Sequence, residues 1–499
     1  MAPVRTYNSF TFLLPWPDNS FIPSCEFFAM KTQHVLLALS LNFTVSLLAA
    51  ELNSDARQTE TTVDMNLGLG CGQVAPPSPR IENALESFQT IHPLSLDPFA
   101  ANERLAHEAI SPDSSVALKA IAVLRALGPA GLDAMLKVHV DSIKSHAIAL
   151  RVTGIQKSDN EWLRLSNALD AVARQRDSYA SKLYWYTDFD EAKAAARQNN
   201  KPILSLRLLG NLDDELSCAN SRFFRTTLYA NTQVSAYLRD HFILHWKSVR
   251  PVPKVTIDFG DGRKLERTIT GNSIHYVLDS DGRIIDALPG LYGAELFLAG
   301  LQQAESTAIQ CATSSATARN RLLHDYHCAR VAALESSWSR DLAVVRPAAG
   351  TKSLIQLEAA TDDSAWASIA FLHSDQARLD QASRALLMAK APSALTAGRV
   401  TASKIAIENP VLRQIRNLER SISEDTVRNE YLFHTKIHEW LAAAPAVPNL
   451  EAFNSKIYAE LFLTPDSDPW LGLVQTDICT ALENNGLVSD ARSLERAAQ

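Results

Sequence analysis

Helical and strand-like stretches alternate between residues 181 and 305, and this alternation constrains the fold more than any other feature of the chain. Residues 188–200 begin with acidic side chains and continue with Ala and Lys, which favours a helix. A Lys-Pro pair ends that helix, and the apolar run 203–209 predicts a strand. The pattern then repeats, with a helix predicted from Cys218 to Arg239 and a strand from Phe242 to Val249.

Two hairpins are predicted next, over residues 255–270 and 274–288. Each contains an Asp-Gly pair near its centre, Asp261-Gly262 in the first and Asp281-Gly282 in the second, which is a strong signal for a tight turn between antiparallel strands. A helix from Gly293 to Gln303 completes the segment. This order of elements predicts a mixed α/β domain over residues 181–305.

The stretch from Trp185 to Leu204 (WYTDFDEAKAAARQNNKPIL) resembles the opening of bacterial thioredoxin-like proteins, in which an Ala- and Lys-rich helix leads into Lys-Pro and a buried strand. In that family a C-x-x-C pair begins the next helix, and here the residues from Cys218 to Ser221 (CANS) take that position. Residues 274–290 are similar to the penultimate hairpin of the family. The resemblance implies a thioredoxin-like central domain, a mixed sheet flanked by helices, between two mainly α-helical regions.

Two departures from the thioredoxin-like pattern bear on function. Ser221 replaces the second cysteine, so the motif cannot form an internal disulfide. Gly271-Asn272-Ser273 takes the place of the cis-proline that faces the thiol in the family, so the resemblance implies that Asn272 and Ser273 face a substrate. A lone Cys218 at the amino end of a helix would have a lowered pKa and could form mixed disulfides.

Other features of Cys218 favour an inert residue. The acidic residues 213–215 lie just before it and would raise its pKa if they faced the sulfur. Two hypotheses therefore remain open for this domain. One is an exported protein whose Cys218, with Ser221 beside it, exchanges disulfides with protein or small thiols; the other is a non-enzymatic binding or scaffold protein with a redox-inactive thioredoxin fold. The sequence does not decide whether the chain is an enzyme, and no cofactor is predicted.

A third hypothesis is metal binding by Glu430, His434 and His438, whose spacing of four residues places two imidazoles and a carboxylate on one helix face. The same side of the helix also carries apolar residues, namely Val427, Tyr431, Ile437 and Leu441. Such a stripe is more typical of histidines that are hydrogen-bonded within a core. His324, His327 and Cys328 form a second small cluster, for which no distant fourth ligand is identifiable.

Residues 30–50 have the layout of a secretory signal peptide, with Lys31 near the start, an apolar run over 35–48 and small residues before Glu51. The apolar run is shorter than the roughly 20 residues that a membrane-spanning helix needs. We therefore expect residues 1–29 to precede the true start of translation, residues 51–80 to form a linker, and the mature protein to be secreted or periplasmic without an integral membrane segment.

The remaining regions are predicted to be helical. Residues 81–180 form one helical domain, in which Gly128-Pro129 separates two helices that resemble one HEAT-type repeat, and residues 306–499 form a C-terminal helical domain. The net charge of −7 argues against a nucleic-acid partner, which requires clustered basic residues. The six cysteines have long, irregular spacings, so we predict no disulfide scaffold and assign no pairs among Cys71, Cys311, Cys328 and Cys479.

Overall fold

The computed structural model describes residues 98–153, 159–268, 270–345, 363–390 and 410–471, together with residues 473, 481 and 482. The predicted N-terminal extension, signal peptide and linker, residues 1–80, lie outside the described residues. Across the described ranges, no helix combines the length and apolar character needed to cross a membrane.

The chain is a mixed α/β protein that divides into two compact units. One unit includes Trp185–Arg384 and Gln414–Gln499, and the other includes Ser40–Tyr184 and Ala385–Arg413. Residue 305, the predicted limit of the central domain, lies within the first unit, inside the helix Ala294–Ala312.

The unit that contains Ser40–Tyr184 is helical where it is described. Its helices are α1 (Pro98–Glu108), α2 (Ser114–Ala126), α3 (Pro129–Val138), α4 (Val140–Thr153), α5 (Asn160–Ala173) and the short α6 (Ser178–Ser181). The predicted turn between two helices at Gly128-Pro129 is confirmed, and Gly128 has a φ of +69°. A Cβ atom on Gly131 would lie 1.9 Å from the carbonyl oxygen of Leu124, so α2 and α3 approach closely at this glycine.

The other unit contains all the described strands and all or part of each remaining helix. In chain order these are α7 (Phe189–Asn199), β1 (Ile203–Leu209), α8 (Ala219–Phe223, continued by a π-helical turn Phe224–Leu228), α9 (Thr232–His241), β2 (Ile243–Arg250), β3 (Lys254–Asp258), β4 (Lys264–Thr268), β5 (Ser273–Leu278), β6 (Ile284–Pro289), α10 (Ala294–Ala312), α11 (Ala316–Val345), α12 (Asp363–Leu372), α13 (Gln381–Lys390), α14 (Pro410–Arg428, followed by a π-helical turn Asn429–His434), α15 (Thr435–Ala443) and α16 (Leu450–Lys456, continued by a π-helical turn Ile457–Leu461). The limits of the two units fall within α13 and α14.

Four strands form one mixed sheet in the order β2-β1-β5-β6. β1 pairs with β2 in parallel, Ile203 opposite Ile243, and with β5 in antiparallel orientation, Ile203 opposite Leu278. β5 and β6 form an antiparallel hairpin, while β3 and β4 make a separate two-stranded sheet. Every residue of β1, β5 and β6 is buried, so these strands form the centre of the unit.

Most local predictions for residues 188–303 are confirmed by the structure. Both hairpins form, with Gly262 and Gly282 at φ values of +91° and +85°. The single helix predicted from Cys218 to Arg239 is wrong: the chain turns before Asn231, whose side chain accepts hydrogen bonds from two backbone N–H groups and begins α9. Helix α10 continues beyond the predicted end at Gln303 because its buried face extends to Cys311.

Candidate functional site

Cys218 lies where the sequence predicts it, at the amino end of the helix that follows β1. Its backbone is extended and its sulfur accepts a hydrogen bond from the backbone N–H of Ser221, over 3.4 Å. The Ser221 hydroxyl donates to the hydroxyl of Ser217, 2.9 Å away. Serine at this position therefore bonds to its own loop, and no second thiol of the motif faces Cys218.

The expectation of a lowered pKa at Cys218 is wrong. The side chain is 0% exposed, and burial raises the pKa of the thiol more than the N–H groups of the helix end lower it. The acidic residues before the cysteine do not cause this rise, since Glu215 contacts Arg225 and Asp214 accepts a hydrogen bond from Asn211. A buried thiol with a raised pKa is a weak nucleophile.

The loop that contains Asn272 and Ser273 lies beside Cys218, as predicted, but it does not face solvent. The Asn220 amide donates to the Ser273 hydroxyl over 2.8 Å, and the Ala219 N–H donates to the carbonyl of Thr270 over 3.2 Å. Asn272 is only 6% exposed. The prediction of a substrate-facing loop is therefore wrong for the described structure, because another part of the chain covers the loop.

The C-terminal segment supplies this cover. The Asn272 amide donates to the Thr464 hydroxyl over 3.0 Å, and the Tyr458 hydroxyl donates to the Asn272 carbonyl over 3.1 Å. Tyr458 is itself buried, and after burial the nearby Cys218 thiol contributes most to raising its pKa. We call residues 450–468 the cover segment.

Arg250, at the end of β2, bonds the cover segment to the sheet. Its guanidinium donates to the carbonyl of Thr464 over 2.7 Å, to that of Asp468 over 3.0 Å and to that of Pro465 over 3.4 Å. Near the start of the segment, the Glu451 carboxylate accepts a hydrogen bond from the buried Arg207 guanidinium of β1 over 3.0 Å. The segment is thus bonded to two adjacent strands.

A second cluster of chemically active side chains forms around His434. Its Nδ1 lies 2.9 Å from Oε2 of Glu430, and its Nε2 lies 3.0 Å from Oδ1 of Asp286 on β6. His434 is 0% exposed and Asp286 is 1% exposed. Burial alone would lower the pKa of His434, but the carboxylates of Glu430 and Asp286 outweigh it and raise that pKa to about 9.

His438 joins the same cluster from the next turn of the helix. Its Nδ1 lies 2.9 Å from Nδ1 of His327 on α11, so one of these two nitrogens donates to the other. Its Nε2 is buried, lies 3.7 Å from Oδ1 of Asp286 and has no hydrogen-bond partner among the described residues. Burial lowers the pKa of His438 well below its ordinary value and that of His327 to about 4, so both imidazoles are neutral near pH 7.

The carboxylates of this cluster are held by further side chains. The Tyr326 hydroxyl donates to Oδ2 of Asp286 over 2.5 Å, and the Arg330 guanidinium donates to Oε1 of Glu430 over 3.1 Å. Burial raises the pKa of Asp286, but the neighbouring imidazoles, of which His434 is protonated near pH 7, hold it well below its ordinary value. Asp286 is therefore a carboxylate in a fully buried position.

The structure brings together parts of the two histidine clusters predicted from the sequence. His327 meets His438, whereas His324 lies against the carbonyl of Ala442 and Cys328 is exposed next to it. Sequence reasoning missed Asp286, which it treated as one more residue of a hairpin strand. The sequence did contain a signal, because Asp286 lies within the otherwise apolar run IIDALP. A carboxylate buried with such a strand requires a charged or hydrogen-bonding partner, which indicates a polar cluster.

Comparisons of the chain with protein-family models, with curated proteins and with solved structures found no match.

Proposed function

We propose that the chain is a non-enzymatic scaffold protein with a redox-inactive thioredoxin-like core. The sheet order β2-β1-β5-β6 supports the thioredoxin-like part of the proposal, because β1 and β2 are parallel and β5 and β6 form a terminal antiparallel hairpin. The helix that begins after β1 with Cys218 is also in the position that the resemblance implies. On this interpretation the pair β3–β4 is an insertion.

The burial of Cys218 is the observation that carries the proposal. Thiol–disulfide exchange requires a thiolate that a partner's sulfur can reach in line. Here the sulfur is 0% exposed, its pKa is raised, and Ser221 offers no resolving thiol. Each of these three features slows exchange, and together they support a core without redox activity.

The cover segment supports a structural role for the same surface. Residues on β1, β2 and the loop before β5 hold this segment through Arg207, Arg250 and Asn272. In the proposed scaffold, the surface next to Cys218 binds the chain's own C-terminal helices, and the sheet serves as the platform on which they pack. Any protein partner would then bind elsewhere on the chain.

Export of the scaffold is part of the proposal and rests on the signal-like pattern of residues 30–50. Sequencing of the amino terminus of the protein purified from its native cell tests it. A mature terminus shortly after Ala50 is expected, and a protein that retains residues 1–50 would exclude this route of export.

Alkylation of the native protein, followed by mass spectrometry of each cysteine-containing peptide, tests the redox-inactive core. Cys328 is exposed and serves as the internal control for rapid labelling, and the buried Cys311 serves as the control for slow labelling. We expect Cys218 to react as slowly as Cys311 in the folded protein and as rapidly as Cys328 in urea. Labelling of Cys218 at the rate of Cys328 without denaturant would instead support the monothiol hypothesis.

A further inference from the structure

We propose that Asp286, His434 and His438 bind a divalent transition-metal ion such as Zn²⁺. Each residue offers one ligand atom, a carboxylate oxygen or an imidazole nitrogen, and the three atoms lie within 4.8 Å of one another. All three side chains are buried. The inference does not depend on the proposed scaffold function, because none of these residues belongs to the surface around Cys218.

The two distances from the Asp286 oxygen to the imidazole nitrogens are close to those around a tetrahedral ion. Zinc bonds of about 2.0–2.1 Å to nitrogen and oxygen place neighbouring ligand atoms of a tetrahedron roughly 3.3–3.4 Å apart. The Oδ1 atom of Asp286 lies 3.0 Å from Nε2 of His434 and 3.7 Å from Nε2 of His438. These two values lie on either side of the ideal separation, and all three atoms lie within 4.8 Å of one another.

The unpaired nitrogen of His438 is the second observation that points to a cation. Its Nδ1 is engaged with His327, and its Nε2 is buried without a hydrogen-bond partner in the described part of the chain. When Nδ1 carries the proton, Nε2 presents a lone pair toward the Asp286 carboxylate, 3.7 Å away. A lone pair and a carboxylate oxygen repel each other, and a metal ion between them would satisfy both.

The neighbours of the three residues orient them as the outer partners of a metal site usually do. Glu430 accepts a hydrogen bond from Nδ1 of His434, which leaves Nε2 to face Asp286, and Arg330 holds Glu430. Metal-binding histidines generally donate their second N–H to a carboxylate or carbonyl in this way. The proton on Nε2 of His434 leaves to solvent when the ion takes its place.

Two residues that contact the ligands also border depressions of the surface. Tyr326, which donates to Asp286, is half-buried and borders an open depression of about 430 Å³ that is otherwise lined by polar and small residues of α10. His327 borders a smaller depression on another side. Tyr326 therefore stands between this depression and Asp286. Three protein ligands are fewer than the four of a closed structural zinc site, and we assign the fourth position to water.

The test uses the full chain without an affinity tag, treated with a chelator and then titrated with Zn²⁺ by calorimetry and with Co²⁺ by visible absorption. We expect saturable uptake of about one ion per chain. His438→Gln should weaken binding by more than about 100-fold and Glu430→Gln by about 10–100-fold, which is the usual loss on removing an outer partner. His324→Gln, on the neighbouring helix but outside the ligand set, is the matched control and should bind like the wild type.

Two results would overturn the site. One is the absence of saturable Zn²⁺ or Co²⁺ binding by the wild-type protein, and the other is a His438→Gln variant that binds as tightly as the wild type. Circular dichroism without metal shows whether each variant folds. If His438→Gln does not fold, the wild type alone decides: its unfolding temperature must rise with Zn²⁺ and fall again with chelator, and an unchanged temperature contradicts the proposal.

Discussion

The hydroxyl of Tyr458 donates a hydrogen bond to the backbone carbonyl of Asn272, 3.1 Å away and 186 positions earlier in the chain. This bond joins the C-terminal helices to the loop beside Cys218. It is one of several contacts by which the cover segment closes over the only cysteine that the resemblance to thioredoxin-like proteins singles out.

Two substitutions of Tyr458 should distinguish the contribution of its hydrogen bond from the protection of Cys218 by its buried ring. Tyr458→Phe keeps the buried ring but leaves the Asn272 carbonyl without this donor, and we expect a loss of about 1–2 kcal/mol in the free energy of unfolding. Tyr458→Ala removes the ring as well and should also increase the rate at which Cys218 is alkylated. Urea denaturation and peptide-level labelling measure the two effects; equal labelling of Cys218 in both variants would show that the ring does not protect it.

Arg250→Met should loosen the cover segment. The guanidinium donates to three carbonyls of the segment. A charge-assisted hydrogen bond contributes about 1.5–3 kcal/mol, and because these bonds are only partly buried, water replaces some of them in the variant, so we expect a net loss of at least about 2 kcal/mol. Limited proteolysis should then cleave near Asp468 sooner than in the wild type. Lys254→Met, which removes an exposed cation from β3, is the control and should leave both measurements unchanged.

His373 should make stability depend on pH. The Asp341 carboxylate, 2.6 Å from Nε2, raises the pKa of His373 above its ordinary value of about 6.5, although partial burial opposes this. The resulting stabilisation is complete below pH 6.5 and is lost as the pH rises through the higher folded-state pKa. The His373→Gln variant should therefore lose more stability at pH 6 than at pH 9, as measured by urea unfolding. An equal loss at both values would contradict the charged pair.

Gly131→Ala should destabilise the helical unit that contains α2 and α3. The added Cβ would meet the Leu124 carbonyl oxygen at 1.9 Å, and backbone atoms cannot move aside as a side chain can, so we expect a loss of about 3 kcal/mol. Asp133→Ala, at an exposed position of the same helix, should change stability by less than about 0.5 kcal/mol. Thermal unfolding followed by circular dichroism compares the two variants. A Gly131→Ala protein as stable as Asp133→Ala would disprove the close approach.

Local chemistry in the sequence was sufficient to predict much of the secondary structure. The Asp188 cap and the alanines after it specify α7, and the two Asp-Gly pairs specify both hairpins, because each signal acts within a few residues. The break at Asn231 also had a local signal, because an asparagine can cap the start of a new helix. The prediction gave more weight to the apolar residues that continue at helical spacing on both sides of it.

Contacts distant in sequence explain what could not be predicted. The burial of Cys218 depends on Tyr458 and Thr464, which lie more than a hundred residues later in the chain. The cluster around His434 likewise needs Asp286, 148 positions earlier, and spacing along one helix suggested only Glu430 and His438 as its companions. No periodicity within a single element indicates which strand will lie against that helix.

The separation of 186 positions between Asn272 and Tyr458 has a consequence during synthesis. A ribosome adds about 5–20 residues per second, so roughly 10–40 s pass between the emergence of the loop and the emergence of the tyrosine that covers it. Throughout that interval a nascent chain presents an unprotected sulfur to any oxidant in its compartment. Protection of this thiol therefore follows its own synthesis by at least that interval.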